Sequence, residues 1–113
     1  MALAFPGQAA SAQSGPALPS GGTVVGGQAQ ILAPAAGQLL IDQQTARAVI
    51  DWRSFSIGEG GRVHFQNGSG ATLNRVLGGD PSRIAGLLSA TGSVWLVNPA
   101  GVLVSPTGEV TTG

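Results

Sequence analysis

From Thr23 onward the chain is a succession of short β-prone runs separated by small polar residues. Thr23-Val24-Val25 precedes Gly26-Gly27, Gln28 to Ala33 alternates polar and apolar side chains, Gln38 to Ile41 makes a third piece and Ala46 to Trp52 a fourth. Short runs of this kind, bounded by Gly, Pro and Asn, predict strands. Glu59-Gly60-Gly61 turns into Arg62-Val63-His64-Phe65, whose period of two directs Val63 and Phe65 to one side and Arg62 and His64 to the other. Asn67-Gly68-Ser69-Gly70 turns again before Ala71 to Leu77. Strand pieces thus recur about every ten residues, a spacing that fits a sandwich, a barrel or a solenoid equally well.

The sharpest piece is Ser93 to Val104, where Asn98-Pro99-Ala100-Gly101 separates two runs of Val, Leu and Trp. Asn98 can bond its own downstream backbone, Pro99 presets φ at the second turn position, and Gly101 tolerates a positive φ. Pro99 also lacks an N–H, so no central ladder runs through it. One segment departs from the β pattern. With Asp80 as cap and Pro81 at the first position, Ile84, Leu87 and Leu88 would share a helical face. Gly86 and Gly92 weaken that helix, and Arg83 to Ala90 is expected to be a turn of helix or irregular coil.

The chain has 113 residues, a length for one domain, with 19 Gly, 7 Pro and only 9% charged residues. Its five basic residues are all Arg and are balanced by five Asp and Glu. Without a basic stripe, nucleic acid is not an expected partner, nor is a membrane surface held by charge. The absence of Cys excludes disulfides, thiolate metal sites and cysteine nucleophiles. No apolar run approaches the roughly 20 residues of a membrane helix.

Residues that could carry chemistry are few. His64 is the only His, so no His pair can hold a metal, and a solvent-facing strand position is its expected place. Asp42 and Asp51 could meet on neighbouring turns of the chain as a paired carboxylate or a Ca²⁺ site, although such residues more often cap turns. Gly58-Glu59-Gly60-Gly61 lacks the Lys and the following helix of a phosphate loop. Trp52 and Trp95 could stack on sugars, but their apolar strand contexts predict core packing for both. Asn67, Asn74 and Asn98 suit corners, where an Asn side chain bonds exposed backbone and can stack between layers. No catalytic residue, metal or cofactor is expected.

Taken in order, Trp52-Arg53-Ser54-Phe55-Ser56-Ile57-Gly58, Val63-His64-Phe65, Ala71-Thr72-Leu73-Asn74-Arg75-Val76 and the Asn-Pro-Ala-Gly-Val turn resemble the N-terminal secretion domain of the filamentous haemagglutinin family, the large exoproteins of bacterial two-partner secretion. The family's turn usually reads Asn-Pro-Asn-Gly, so Ala100 departs from it, and the Asn-Pro-Asn-Leu motif of some members has no counterpart.

The resemblance implies an all-β fold: a right-handed parallel β-helix with extra antiparallel strands near its N-terminus, each coil stacking on the next around a common apolar column. It implies a non-enzymatic, secretion-addressing role recognised by the periplasmic domains of an outer-membrane two-partner transporter. The general secretion machinery would deliver the chain through the periplasm to a secreted or cell-surface destination. Adhesion, haemagglutination or toxin delivery, with host-cell or bacterial surface receptors, would belong to regions outside this chain. The secretion motif carries over to Asn98, Pro99, Gly101 and Val102, with Asn67, Leu73, Asn74 and Arg75 as supporting motif positions. The alternative from another class, a β-helix carbohydrate-binding or polysaccharide-active protein, calls for a groove with clustered acids and exposed aromatics, and five scattered acids supply little of it.

Residues 1–22 are expected to be a partial signal peptide and a Pro/Gly/Ser linker. Ala10-Ser11-Ala12 fits a small-x-small cleavage pattern, but Pro6 and Gly7 interrupt the short leader and no positive charge precedes it. Gly15 to Gly22 is expected to lack structure, with order starting near Thr23. Residues 23–113 are then the front part of the secretion domain, since Val110-Thr111-Thr112-Gly113 breaks off in mid-pattern.

Overall fold

The computed structural model describes residues 15–112. The proposed cleavage site at Ala10 to Ala12 lies outside the described residues. Eleven strands run in chain order: β1 (Thr23–Gly26), β2 (Ala29–Leu32), β3 (Gln38–Gln43), β4 (Arg47–Trp52), β5 (Arg62–Gln66), β6 (Ala71–Val76), β7 (Ser82–Ile84), β8 (Leu87–Ala90), β9 (Ser93–Val97), β10 (Val102–Val104) and β11 (Glu109–Thr111).

The strands wind into stacked coils. Coil 1 carries β3 and β4, coil 2 carries β5, β6 and β7, coil 3 carries β8, β9 and β10, and β11 begins another turn. On the first face β3, β5, β8 and β11 pair in parallel, on the second β4, β6 and β9, and on the third β10 pairs with β7 while Ile57 bridges Ile84. At the N-terminal end β2 lies antiparallel on β3 and β1 antiparallel on β4, which closes that end of both sheets. This is a β-solenoid of about three turns with an antiparallel cap.

Period-two alternation supplies the interior. Val63 and Phe65 point inward from β5, and Ala48, Ile50 and Trp52 from β4. In-register pairing then stacks like on like: Ile41, Phe65 and Ala90 form one column, and Ile57, Ile84 and Val104 another. Trp52 packs edge-on against Phe55 at 5.4 Å between ring centroids, and Phe55 stacks on Phe65 at 6.4 Å. Each such side chain withdrawn from water stabilises by about 1.5–3 kcal/mol, the main favourable term. Burial fades at coil 3, where Val102, Val104 and Val110 are exposed and a 170 Å³ hollow opens between Ile84, Leu88, Val94 and Leu96.

The corner between the first two faces stacks backbone directly on backbone. A Cβ at Gly70 would lie 2.0 Å from the Ala46 carbonyl oxygen, and one at Gly92 would lie 2.3 Å from the Gly70 carbonyl oxygen. Only glycine allows those coils their strand-to-strand spacing.

Two expectations are corrected. Arg83 to Ala90 forms β7 and β8 instead of a helical turn or irregular coil, because neighbouring coils supply ladder partners and Ile84 and Leu88 alternate inward as strand residues. A Cβ at Gly86 would fall 2.3 Å from the Gly61 carbonyl oxygen, so this segment too is held against the coil before it. Residues 17 to 20 are likewise tied down. Gly58 N–H donates to the Ala17 carbonyl, Ser20 bridges Ser54, and Pro19 is buried, so the segment expected to be structureless lies along coil 1.

Candidate functional site

The Asn98–Gly101 turn leaves β9 at the corner between the second and third faces. Gly101 N–H donates to the Asn98 carbonyl at 2.9 Å and closes the turn, and Gly101 sits at φ +112°, outside the range that side chains favour. Asn98 Oδ1 accepts from the Ala100 N–H at 2.9 Å, the downstream backbone bond that the residue type predicts. Its Nδ2 reaches back to coil 2, donating to the Asp80 carbonyl at 3.0 Å and to Ser82 Oγ at 2.9 Å. Ser82 is fully buried and its N–H donates to the Gly101 carbonyl at 2.9 Å. Val102 then pairs with Ser82 as β10 begins. The turn is thus clamped onto the preceding coil, while Pro99, Ala100 and Gly101 face solvent.

The other motif positions lie elsewhere. Asn67 is buried at the corner between the first and second faces, where its Oδ1 accepts from Gly92 N–H at 2.7 Å and from Thr91 Oγ1 at 3.1 Å. Its Nδ2 donates to Thr72 Oγ1 and to the Ser93 carbonyl, each at 3.0 Å. Asn74 is fully buried in the middle of the second face; it accepts from Trp52 Nε1 at 2.8 Å and donates to the Trp95 carbonyl at 3.2 Å. Leu73 and Arg75 point outward on β6. Arg75 grips Asp51 with two hydrogen bonds of 2.6 and 2.9 Å. That bond first, and the carboxylate charge second, raise the guanidinium above its ordinary value.

Asn67, Asn74 and Asn98 therefore occupy three places and serve one kind of task, tying one coil to the next. Ser82 escaped the sequence reading, although Asp80-Pro81 anticipates Asn98-Pro99 by 18 residues and marks the same corner one coil earlier. Gln43 and Thr72 escaped it as well, because polar residues inside strand runs carry no local sign of burial.

Of the remaining candidates, His64 faces outward, half-buried, with Nδ1 2.7 Å from Ser89 Oγ and Nε2 3.1 Å from Gln66 Oε1. Asp42 lies on the first face and Asp51 on the second, where it takes Arg75, so the two carboxylates do not meet. Trp52 is core as expected, but Trp95 is 64% exposed. Its position in β9 alternates with the inward Val94 and Leu96, and the period of two overrides its apolar character.

The architecture is a capped parallel β-solenoid with its turns clamped coil upon coil, and among the described residues no group of three or more His, Cys, Asp or Glu side chains gathers to hold a metal ion. Residues 16–113 match the TPS secretion domain family, and the chain belongs to it. It is 40% identical over 95 residues to a heme/hemopexin-binding protein of Haemophilus influenzae strain Rd, covering 82% of this chain and 10% of that protein. A second Haemophilus influenzae protein of that name is 38% identical over 99 residues, covering 86% of this chain and 11% of its own. Among solved structures, the HMW1 secretion domain from Haemophilus influenzae superimposes with a TM-score of 0.74 at 28% identity, over 83% of this chain and 25% of that one. The chain thus spans about a tenth of the curated relatives it matches. The parallel β-helix with antiparallel N-terminal strands implied by the motif resemblance is the fold found.

Proposed function

We propose that this domain addresses a larger exoprotein for export, with the Asn98–Gly101 turn as the part of its surface on which export depends. The observation that carries the reading is the family match across residues 16–113, joined to a solved secretion domain of the same fold. The partner is an outer-membrane transporter whose periplasmic domains receive the chain, and the route runs through the periplasm to the medium or the cell surface. The domain is non-enzymatic: its acids are dispersed over different faces and its one His is engaged by Ser89 and Gln66. Relatives are named for binding heme and hemopexin. Any such task, or any receptor, belongs to portions of the exoprotein outside this domain.

Asn98→Ala and Gly101→Val in the full-length exoprotein, produced with its transporter, should lower the amount in the medium while synthesis is unchanged. Ala100→Asp adds a charge to the exposed turn without touching the bonds of Asn98. Loss of export in that variant at unchanged melting temperature assigns the turn a direct contact. Loss confined to the variants that also melt earlier assigns it a scaffold. Wild-type export by all three removes the role given to this turn.

A further inference from the structure

On the outer surface where β4 ends, one arginine stands without an acid. The guanidinium of Arg53 makes no ion pair or hydrogen bond among the described residues, where the one salt bridge joins Arg75 to Asp51. It is nonetheless held in place. A Cβ at Gly21, where φ is +65°, would come within 2.8 Å of Arg53 Cβ and 3.4 Å of its Nε, and one at Gly78 would meet the Arg53 carbonyl oxygen at 2.2 Å. The two glycines thus admit the arginine between them and leave an open hollow of about 480 Å³ beside it. Val25 and Leu77 line that hollow, and Leu77, at 69%, is the most exposed large apolar side chain among the described residues. Asp51 borders it too, but Arg75 grips both carboxylate oxygens, so the uncompensated charge at the opening is that of Arg53.

These features select a ligand. One planar guanidinium matches one carboxylate through two parallel N–H bonds, whereas a phosphate dianion would keep a charge uncompensated. The apolar walls call for an aliphatic body. Trp52, beneath them, is buried and offers no ring face to a sugar or a base. The volume falls in the range of small-molecule sites. We propose that Arg53, Val25 and Leu77 form a binding site for a free aliphatic carboxylate, its head on Arg53 and its chain along Leu77 and Val25. Because Gly21 and Gly78 already orient the arginine, little of its freedom is lost on binding. The proposal does not rest on the export reading.

Titration of the 113-residue protein with octanoate at neutral pH, followed by amide NMR shifts, tests it. Saturable shifts are expected at Gly21, Thr23, Val25, Leu77 and Gly78, with those of Leu40 and Leu87 on the first face unmoved. Octanol, which keeps the chain, and acetate, which keeps the charge, should each bind at least about tenfold more weakly. Arg53→Gln should weaken octanoate by about tenfold or more, the worth of one charge-assisted hydrogen bond, and abolish its advantage over octanol. Leu77→Ser should weaken octanoate and octanol together, and its exposed position keeps the test available if Arg53→Gln does not fold. Absence of saturable shifts, shifts spread over other faces, octanol binding as tightly as octanoate, or unchanged affinity in either variant would each overturn the proposal. So would tighter binding of a peptide-borne carboxylate, N-acetyl-leucyl-glutamyl amide.

Discussion

The pair of Trp52 and Asn74 offers the most direct test of how the interior is held. Trp52 is 1% exposed and Asn74 fully buried, and the indole N–H has its one partner in Asn74 Oδ1 at 2.8 Å. Asn74→Leu keeps the number of side-chain heavy atoms and removes that acceptor, leaving the indole N–H unpaired, at a cost of about 1–3 kcal/mol. It also deprives the Trp95 carbonyl of a donor. The gain from a more apolar side chain offsets part of this, so a net loss near 2 kcal/mol is expected, or a fall of about 8–16 °C in melting temperature for a domain of this size. Trp52→Phe removes the donor and leaves a small cavity. Once the donor is gone, losing its acceptor matters less. The double variant should therefore be more stable than the sum of the single losses by about 1–2 kcal/mol. Urea unfolding of the four proteins followed by far-ultraviolet circular dichroism gives that coupling, provided each transition is two-state. A coupling below about 0.5 kcal/mol, the level at which distant sites add, would refute the claim that this hydrogen bond is a material part of the core.

Gly70→Ala should unfold the domain or lower its urea midpoint severely, since its Cβ meets the Ala46 carbonyl oxygen at 2.0 Å, while Gly68→Ala, at φ +61° with open space around it, should cost only about 1–2 kcal/mol. Thr72→Val keeps the shape but strips a fully buried hydroxyl from both Gln43 and Asn67, and should cost about 2 kcal/mol in the same urea measurement. In single-tryptophan variants, acrylamide should quench Trp95 fluorescence freely and Trp52 hardly at all; equal quenching would contradict the outward orientation of β9. Because Arg75 is raised above its ordinary value, its pairing with Asp51 is fully present below the unfolded guanidinium's range and is lost only as pH rises through the folded one. Arg75→Gln should therefore shift the melting temperature by the same small amount at pH 6 and pH 9, and by less in high salt.

The local grammar of the chain was legible because it depends on neighbours in sequence. Val63 and Phe65 alternate inward as the run Arg62 to Phe65 predicts, and the Asn98 turn closes with the side-chain and backbone bonds that Asn-x-x-Gly chemistry calls for. Two misreadings share a cause. Arg83 to Ala90 carried a cap and a spacing suited to a helical turn, and Trp95 carried apolar neighbours suited to a core position. In both, register with a strand in another coil decided the outcome, and that register has no local signature.

By itself, the sequence determined the all-β character, the corners, the shared side of Val63 and Phe65, the core place of Trp52 and, through ordered motifs, the family. Tertiary structure alone decided that Asn98 rests on Ser82, that Asn67 and Gln43 reach into the following coil, and that Trp95 faces outward. The bonds of those amides to the neighbouring coil join residues 16 to 29 apart in the chain. Turn chemistry and strand alternation act over two to four residues, whereas a hydrogen bond between coils exists only after the intervening chain has wound once around and returned.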